Sequence, residues 1–137
     1  MYVPVTKENL IEQLRVVFPE LEEPYKAELQ RWQGEQHPGN YDFLAFVFRP
    51  QFKKDLETRV ITDFLRRSSA FFERVCTSGD LEAINVVWIK IFEWLIHRPK
   101  ELKQLWPILG QATRAMIEDA AQRWGVTNNL PNTRSVE

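Results

Sequence analysis

Glu93 and His97 stand four positions apart in the stretch IFEWLIH, and on a helix that spacing puts a carboxylate and an imidazole on one face. Such a pair can share a proton or supply two ligands to a metal, the chemistry of a metal-dependent enzyme or enzyme subunit. A metal site needs further ligands, and none follows at metal spacing. The second histidine, His37, lies far upstream in the segment QGEQHPGN. His97 therefore reads first as a surface residue near a helix C-terminus, where positive charge is favourable. Cys76 closes an apolar arc and reads as a small core residue rather than a nucleophile. The five glycines are scattered, so no loop is built to cradle phosphates. RPQFKK gathers Arg49, Lys53 and Lys54 around a phenylalanine, the minimum of a nucleic-acid contact. The chain as a whole, with 18 basic against 19 acidic residues, sets up no field toward phosphate. No metal and no cofactor is expected.

The residues with the strongest signal for binding are acidic and aromatic. Glu20, Glu22, Glu23 and Glu28 make the most acidic run of the chain. Carboxylates at a helix start are stabilised by the helix dipole, which is their structural account. Their functional account is electrostatic: a landing site for a basic partner. Trp32, His37, Tyr41 and Asp42 border the same segment and would add the aromatic anchors that interfaces favour. These eight residues form the candidate partner-binding set.

The elements that must position them are helical. Thr6 is placed as an N-cap, with Val5 and Leu10 as a hydrophobic staple, and Leu10, Ile11, Leu14, Val17 and Phe18 recur at helical spacing up to Pro19. Pro24 opens a second, acidic helix. QGEQHPGN is the main loop, and Asn40 is placed to cap YDFLAFVF, which Pro50 ends or kinks. From Thr58 to Cys76 apolar residues fall on one arc and Asp63, Arg66, Arg67, Glu73 and Arg74 fall opposite. TSGD makes a turn, with Asp80 capping the helix that holds INVVWIKIFEWLI. Asn85, Lys90 and Glu93 are too many polar residues for a membrane span. The apolar residues cover most of its circumference, so this stretch is predicted to be the central helix, antiparallel to 58–76, with Trp88 buried. A last helix carries Ala112, Ala115, Met116, Ala120 and Trp124 inward and ends at Gly125. Residues 126–137 are polar and unpatterned, and are predicted to be a disordered tail behind a single domain of residues 1–125.

The expected fold is an all-α bundle of five to seven helices, with antiparallel helix pairs packed as in a short solenoid. At 137 residues the chain has the size of one domain. A single cysteine and an N-terminus without a basic-then-apolar segment lead to an expected cytoplasmic location.

Three stretches, SGDLEAINVVWIKIFEWL, the IFEWL within it, and LWPILGQATRAMIED, resemble a family of small bacterial helical domains of unknown function. The match falls on Gly79, Asp80, Glu93 and Gly110, and the chain departs from the pattern at Trp106-Pro107-Ile108. Members are similar in size and composition to the immunity proteins encoded beside bacterial toxins. The resemblance implies a binding protein without catalysis, whose protein partner is a secreted toxin or effector domain occluded at its active site. Neither a membrane nor a nucleic acid is an expected partner.

Overall fold

The computed structural model describes residues 3–32 and 38–131. His37 and most of its loop lie outside the described residues, as do residues 132–137. The described residues form an all-α bundle of seven helices, without strands. These are α1 (Leu10–Val17), α2 (Glu22–Arg31), α3 (40–57), α4 (Asp63–Cys76), α5 (81–95), α6 (Pro99–Leu105) and α7 (Gln111–Trp124).

Local chemistry accounts for most of these boundaries. Thr6 and Asn9 bond reciprocally, each backbone N–H donating to the other's side chain at 2.7 and 3.2 Å, and the staple residues Val5 and Leu10 are both buried. Helix α4 starts at Asp63 rather than Thr58. Thr62 is its N-cap, accepting from the Leu65 N–H at 3.2 Å, and Arg59 turns the chain just before it with φ 65°. Val60, expected on the buried arc, is consequently exposed. Asn40 does not cap its helix. Gly39 occupies that position, and the Asn40 amide donates instead to the Lys7 carbonyl at 2.8 Å, holding the N-terminal segment. Asp80 caps α5 as expected, accepting from Glu82 and Ala83 N–H groups, and Gly125 ends α7 in the left-handed conformation at φ 69°.

Helices α3 and α5 each contain a wide π-type turn, Leu44–Phe48 and Trp88–Phe92, and the two turns pack on each other. In α3 the turn directly precedes Pro50. A proline ring clashes with the carbonyl four residues back, and a widened turn relieves that clash, so the helix continues where an end or kink was expected. Arg49, at the exit of the first wide turn, donates to the Lys90 carbonyl inside the second at 3.0 Å.

The core is a relay of phenylalanines. Phe18 meets Phe64 and Phe48, Phe48 stacks on Phe52, Phe52 meets Phe72, and Phe72 meets Phe92, all at centroid separations of 4.7 to 5.7 Å. One cluster of buried residues thus joins α1, α3, α4 and α5. Residues 126–131, expected to be disordered, belong to this body. A short 3-10 turn at Thr127–Asn129 brings Val126 and Leu130 against the core, and the Asn129 amide donates to the Ile96 carbonyl at 2.9 Å.

Candidate functional site

The acidic run folds into internal ion pairs. Arg15 holds Glu22 through two contacts at 2.9 and 3.2 Å, and Arg67 of α4 holds Glu20 through two at 2.9 and 2.6 Å. Arg31 holds Glu28 at 3.0 and 2.8 Å, and the Trp32 indole adds a third donor to that carboxylate. Glu23 faces Lys26 at 3.4 Å. The guanidinium partners hold the carboxyls of Glu20, Glu22 and Glu28 below the usual carboxylate range. Glu28 is itself buried at 7% exposure. The expected row of open carboxylates is therefore a set of paired charges, because each helix face that carries a glutamate also carries or meets an arginine. Asp42 is half-buried, and the Arg31 guanidinium lies over the Phe46 ring at 4.9 Å. Arg49 is likewise turned inward, to Lys90, leaving Lys53 and Lys54 exposed.

Tyr41 separates from this group and faces α5. Its hydroxyl accepts from the Asn85 amide at 3.0 Å. Together with Leu81, Ile84, Asn85 and Trp88 it lines an open cleft of about 680 Å³, rimmed by the ion pair of Lys7 with Glu82. Leu81 is 79% exposed and Tyr41 40%. Trp88, expected in the core, is only half-buried and forms the cleft's inner end. Its far side lines a second hollow of about 350 Å³ with Ala112, Ala115, Met116 and Asp119 of α7. The buried arc of α7 runs through Thr113, Ile117, Ala120 and Ala121, so Ala115 and Trp124, predicted inward, face outward instead.

Glu93 and His97 do not bond to each other. The wide turn in α5 sets Glu93 against Trp88: the Glu93 N–H bonds to the Trp88 carbonyl five residues back. At about 100° per residue an ordinary helix would place these two side chains roughly 140° apart. Here one Glu93 carboxylate oxygen accepts from the Trp88 indole at 3.2 Å and from the Trp124 indole at 2.9 Å. The His97 ring packs at nearly a right angle on Trp124, centroids 5.7 Å apart. Among the described residues no group of three His, Cys, Asp or Glu side chains is placed to hold a metal ion.

Cys76 is buried, and burial pushes its thiol up to about 11. Glu73, assigned from the sequence to a polar face, has a structural task. Helix α7 begins at Gly110 with no side-chain cap of its own, and the Glu73 carboxylate of α4 supplies one from across the bundle. It accepts from the Ala112 N–H at 3.1 Å, the Thr113 N–H at 2.9 Å and the Thr113 hydroxyl at 2.7 Å. Gly110 has an ordinary φ of −73°; glycine is needed there because a Cβ would overlap the Glu73 carboxylate. The missing cap before QATRAMIED was the only sequence signal for this contact.

Residues 11–125 match a family model whose description is a domain of unknown function, DUF7674. No curated protein matches the chain, and no solved structure does.

Proposed function

We propose that this chain, which belongs to the DUF7674 family of domains of unknown function, is a protein-binding module of the antitoxin type, and that α5 carries its contact face. The observation that carries the reading is the cleft beside Tyr41. A leucine 79% exposed, a tyrosine and a half-exposed tryptophan line one open concavity. Clustered apolar and aromatic side chains rimmed by charges are what a protein interface requires. Neutralising a toxin by covering its active site needs surface complementarity and no catalytic group. A toxin domain is the partner class that the family resemblance implies. Of the candidate residues, Tyr41 supports this reading most directly; Glu20, Glu22 and Glu28 engage a partner only by giving up internal arginines.

Affinity purification from the native cell, followed by binding kinetics with the recovered partner, tests the reading. Leu81→Glu and Tyr41→Ala are expected to speed dissociation tenfold or more, about 1.4 kcal/mol each, with helicity unchanged. Glu23→Lys is expected to alter association weakly. Wild-type kinetics in both cleft variants would remove α5 as the contact face. Absence of any saturable protein partner would remove the module reading itself.

A further inference from the structure

We propose that Glu93, Trp88 and Trp124 form a receptor for a guanidinium group, one that takes an arginine side chain of a protein partner. The argument starts from the contrast among carboxylates. Glu20, Glu22 and Glu28 each hold an arginine of this chain in a two-point contact. Glu93 is just as firmly oriented, but by two neutral indole donors on a single oxygen, at 3.2 and 2.9 Å. No ion pair to Glu93 forms among the described residues, and no donor there bonds its second oxygen. An ionised carboxylate accepts at about four sites, so half of its capacity is open.

The walls favour a planar cation. Trp124 is 54% exposed and Trp88 half-exposed, and tryptophan is the strongest ring for cation–π contact. This chain already makes one such contact on the spot. The Arg123 guanidinium, held by Asp119 at 3.3 Å, lies 5.6 Å from the Trp88 ring centroid. Arg123 and Asp119 balance each other, so the local charge left uncompensated is that of Glu93. A guanidinium suits the site better than an ammonium, because it can stack on an indole while its fork of N–H groups meets the carboxylate. The hollow between Trp88 and α7, floored by Ala112, Ala115 and Met116, runs from the same tryptophan and can receive the apolar residues that flank the arginine. Only the protein source of the arginine rests on the binding-module reading; the receptor chemistry stands without it.

The test follows the five indole N–H signals of the full chain by proton–nitrogen NMR, assigned by Trp→Phe variants. Acetyl-arginine-amide is titrated in, with acetyl-citrulline-amide as the neutral isostere. The expected result is that the Trp88 and Trp124 signals move together and saturate with the arginine probe, while those of Trp32, Trp94 and Trp106 stay. Citrulline should leave all five unmoved. Glu93→Gln keeps an acceptor for the indoles and removes the charge; it should weaken arginine binding at least tenfold, as should Trp124→Ala. Unresponsive Trp88 and Trp124 signals, or equal responses to citrulline, would overturn the receptor on the wild-type chain alone, whatever the variants do. Such a failure leaves partner capture through the Leu81 cleft intact, and loss of that capture leaves the titration intact, so the two proposals fail separately.

Discussion

At Glu73 one side chain of α4 decides whether α7 can start where it does. Burial pushes its carboxyl up, but the Thr113 hydroxyl and the N–H groups of Thr113 and Ala112 outweigh burial and hold it below its ordinary value of 4.5. The sign follows from that depression: the unfolded chain binds the proton more readily, so the cap stabilises the fold above the ordinary carboxylate range and is lost as pH falls through the folded value. Glu73→Gln is expected to cost about 1–3 kcal/mol at neutral pH, since two buried-end donors lose an ionised acceptor. The deficit should shrink below about pH 4.5, as the wild-type carboxylate protonates too; chemical denaturation at pH 7 and pH 4 measures both. Gly110→Ala should destabilise by displacing the same carboxylate. Because both changes break one contact, the double variant Gly110→Ala, Glu73→Ala should cost less than the sum of the single ones. A strictly additive cycle would mean that the Gly110 requirement has another origin. Trp88 belongs to the same scale. Full burial would make Trp88→Ala cost about 3–5 kcal/mol. Half-exposed at the end of a cleft, it should cost nearer 1–3 kcal/mol, with its larger effect on partner affinity. Thermal melts of the purified variant separate the two ranges.

The elements themselves were largely legible. The 3.6-residue recurrence in LIEQLRVVF and FLRRSSAFFERVC, the turn at TSGD and the glycine after Trp124 located α1, α4, α5 and the end of α7. What the sequence hid has one physical cause. Apolar spacing reports which residues share a face only if the helix keeps its pitch, and α3 and α5 each widen once. The wide turn in α5 rotates everything after Trp88, so Glu93 meets two indoles instead of His97, and Ile89 and Trp88 reach the surface. The acidic run misled for a different reason: a stretch shows its own charges but not the arginine that topology brings from α4, as Arg67 comes to Glu20. Leu81, Asn85 and Trp88, one turn apart each, carried a mixed polar and apolar stripe, the one sequence sign that this face was not wholly core. Arg49 joins the two widened turns. Arg49→Ala removes a charged donor from the Lys90 carbonyl and a cation from the Trp94 ring, and is expected to cost about 1.5–3 kcal/mol. Arg49→Lys should recover part of it, because the ammonium can still donate. A melting curve indistinguishable from wild type for Arg49→Ala would show that the two turns hold each other through packing alone.

At the scale of the whole molecule the domain does not stop where its last long helix does. After Gly125 the Val126 N–H returns to the Ala121 carbonyl at 2.9 Å, Val126 and Leu130 settle on the core, and Asn129 ties to Ile96 at the end of α5. The segment therefore closes the bundle over the end of the helix that bears Glu93, with Trp124 one residue before the turn. Ending the chain after Gly125 removes two apolar side chains from partial burial and one backbone contact to Ile96. The expected cost is about 1–3 kcal/mol, since two half-buried aliphatic residues account for most of it, seen as a melting temperature several degrees lower. The same truncation frees the C-terminal turn of α7, so the Trp124 indole should exchange its proton faster and its hydrogen bond to Glu93 should weaken. The distinguishing control is Leu130→Ser in the full chain: it should reproduce part of the loss in stability while keeping Asn129 in place. Were truncation after Gly125 to leave both melting temperature and indole exchange unchanged, residues 126–131 would contribute nothing to the bundle, and the domain would end at α7 as its sequence pattern alone suggests.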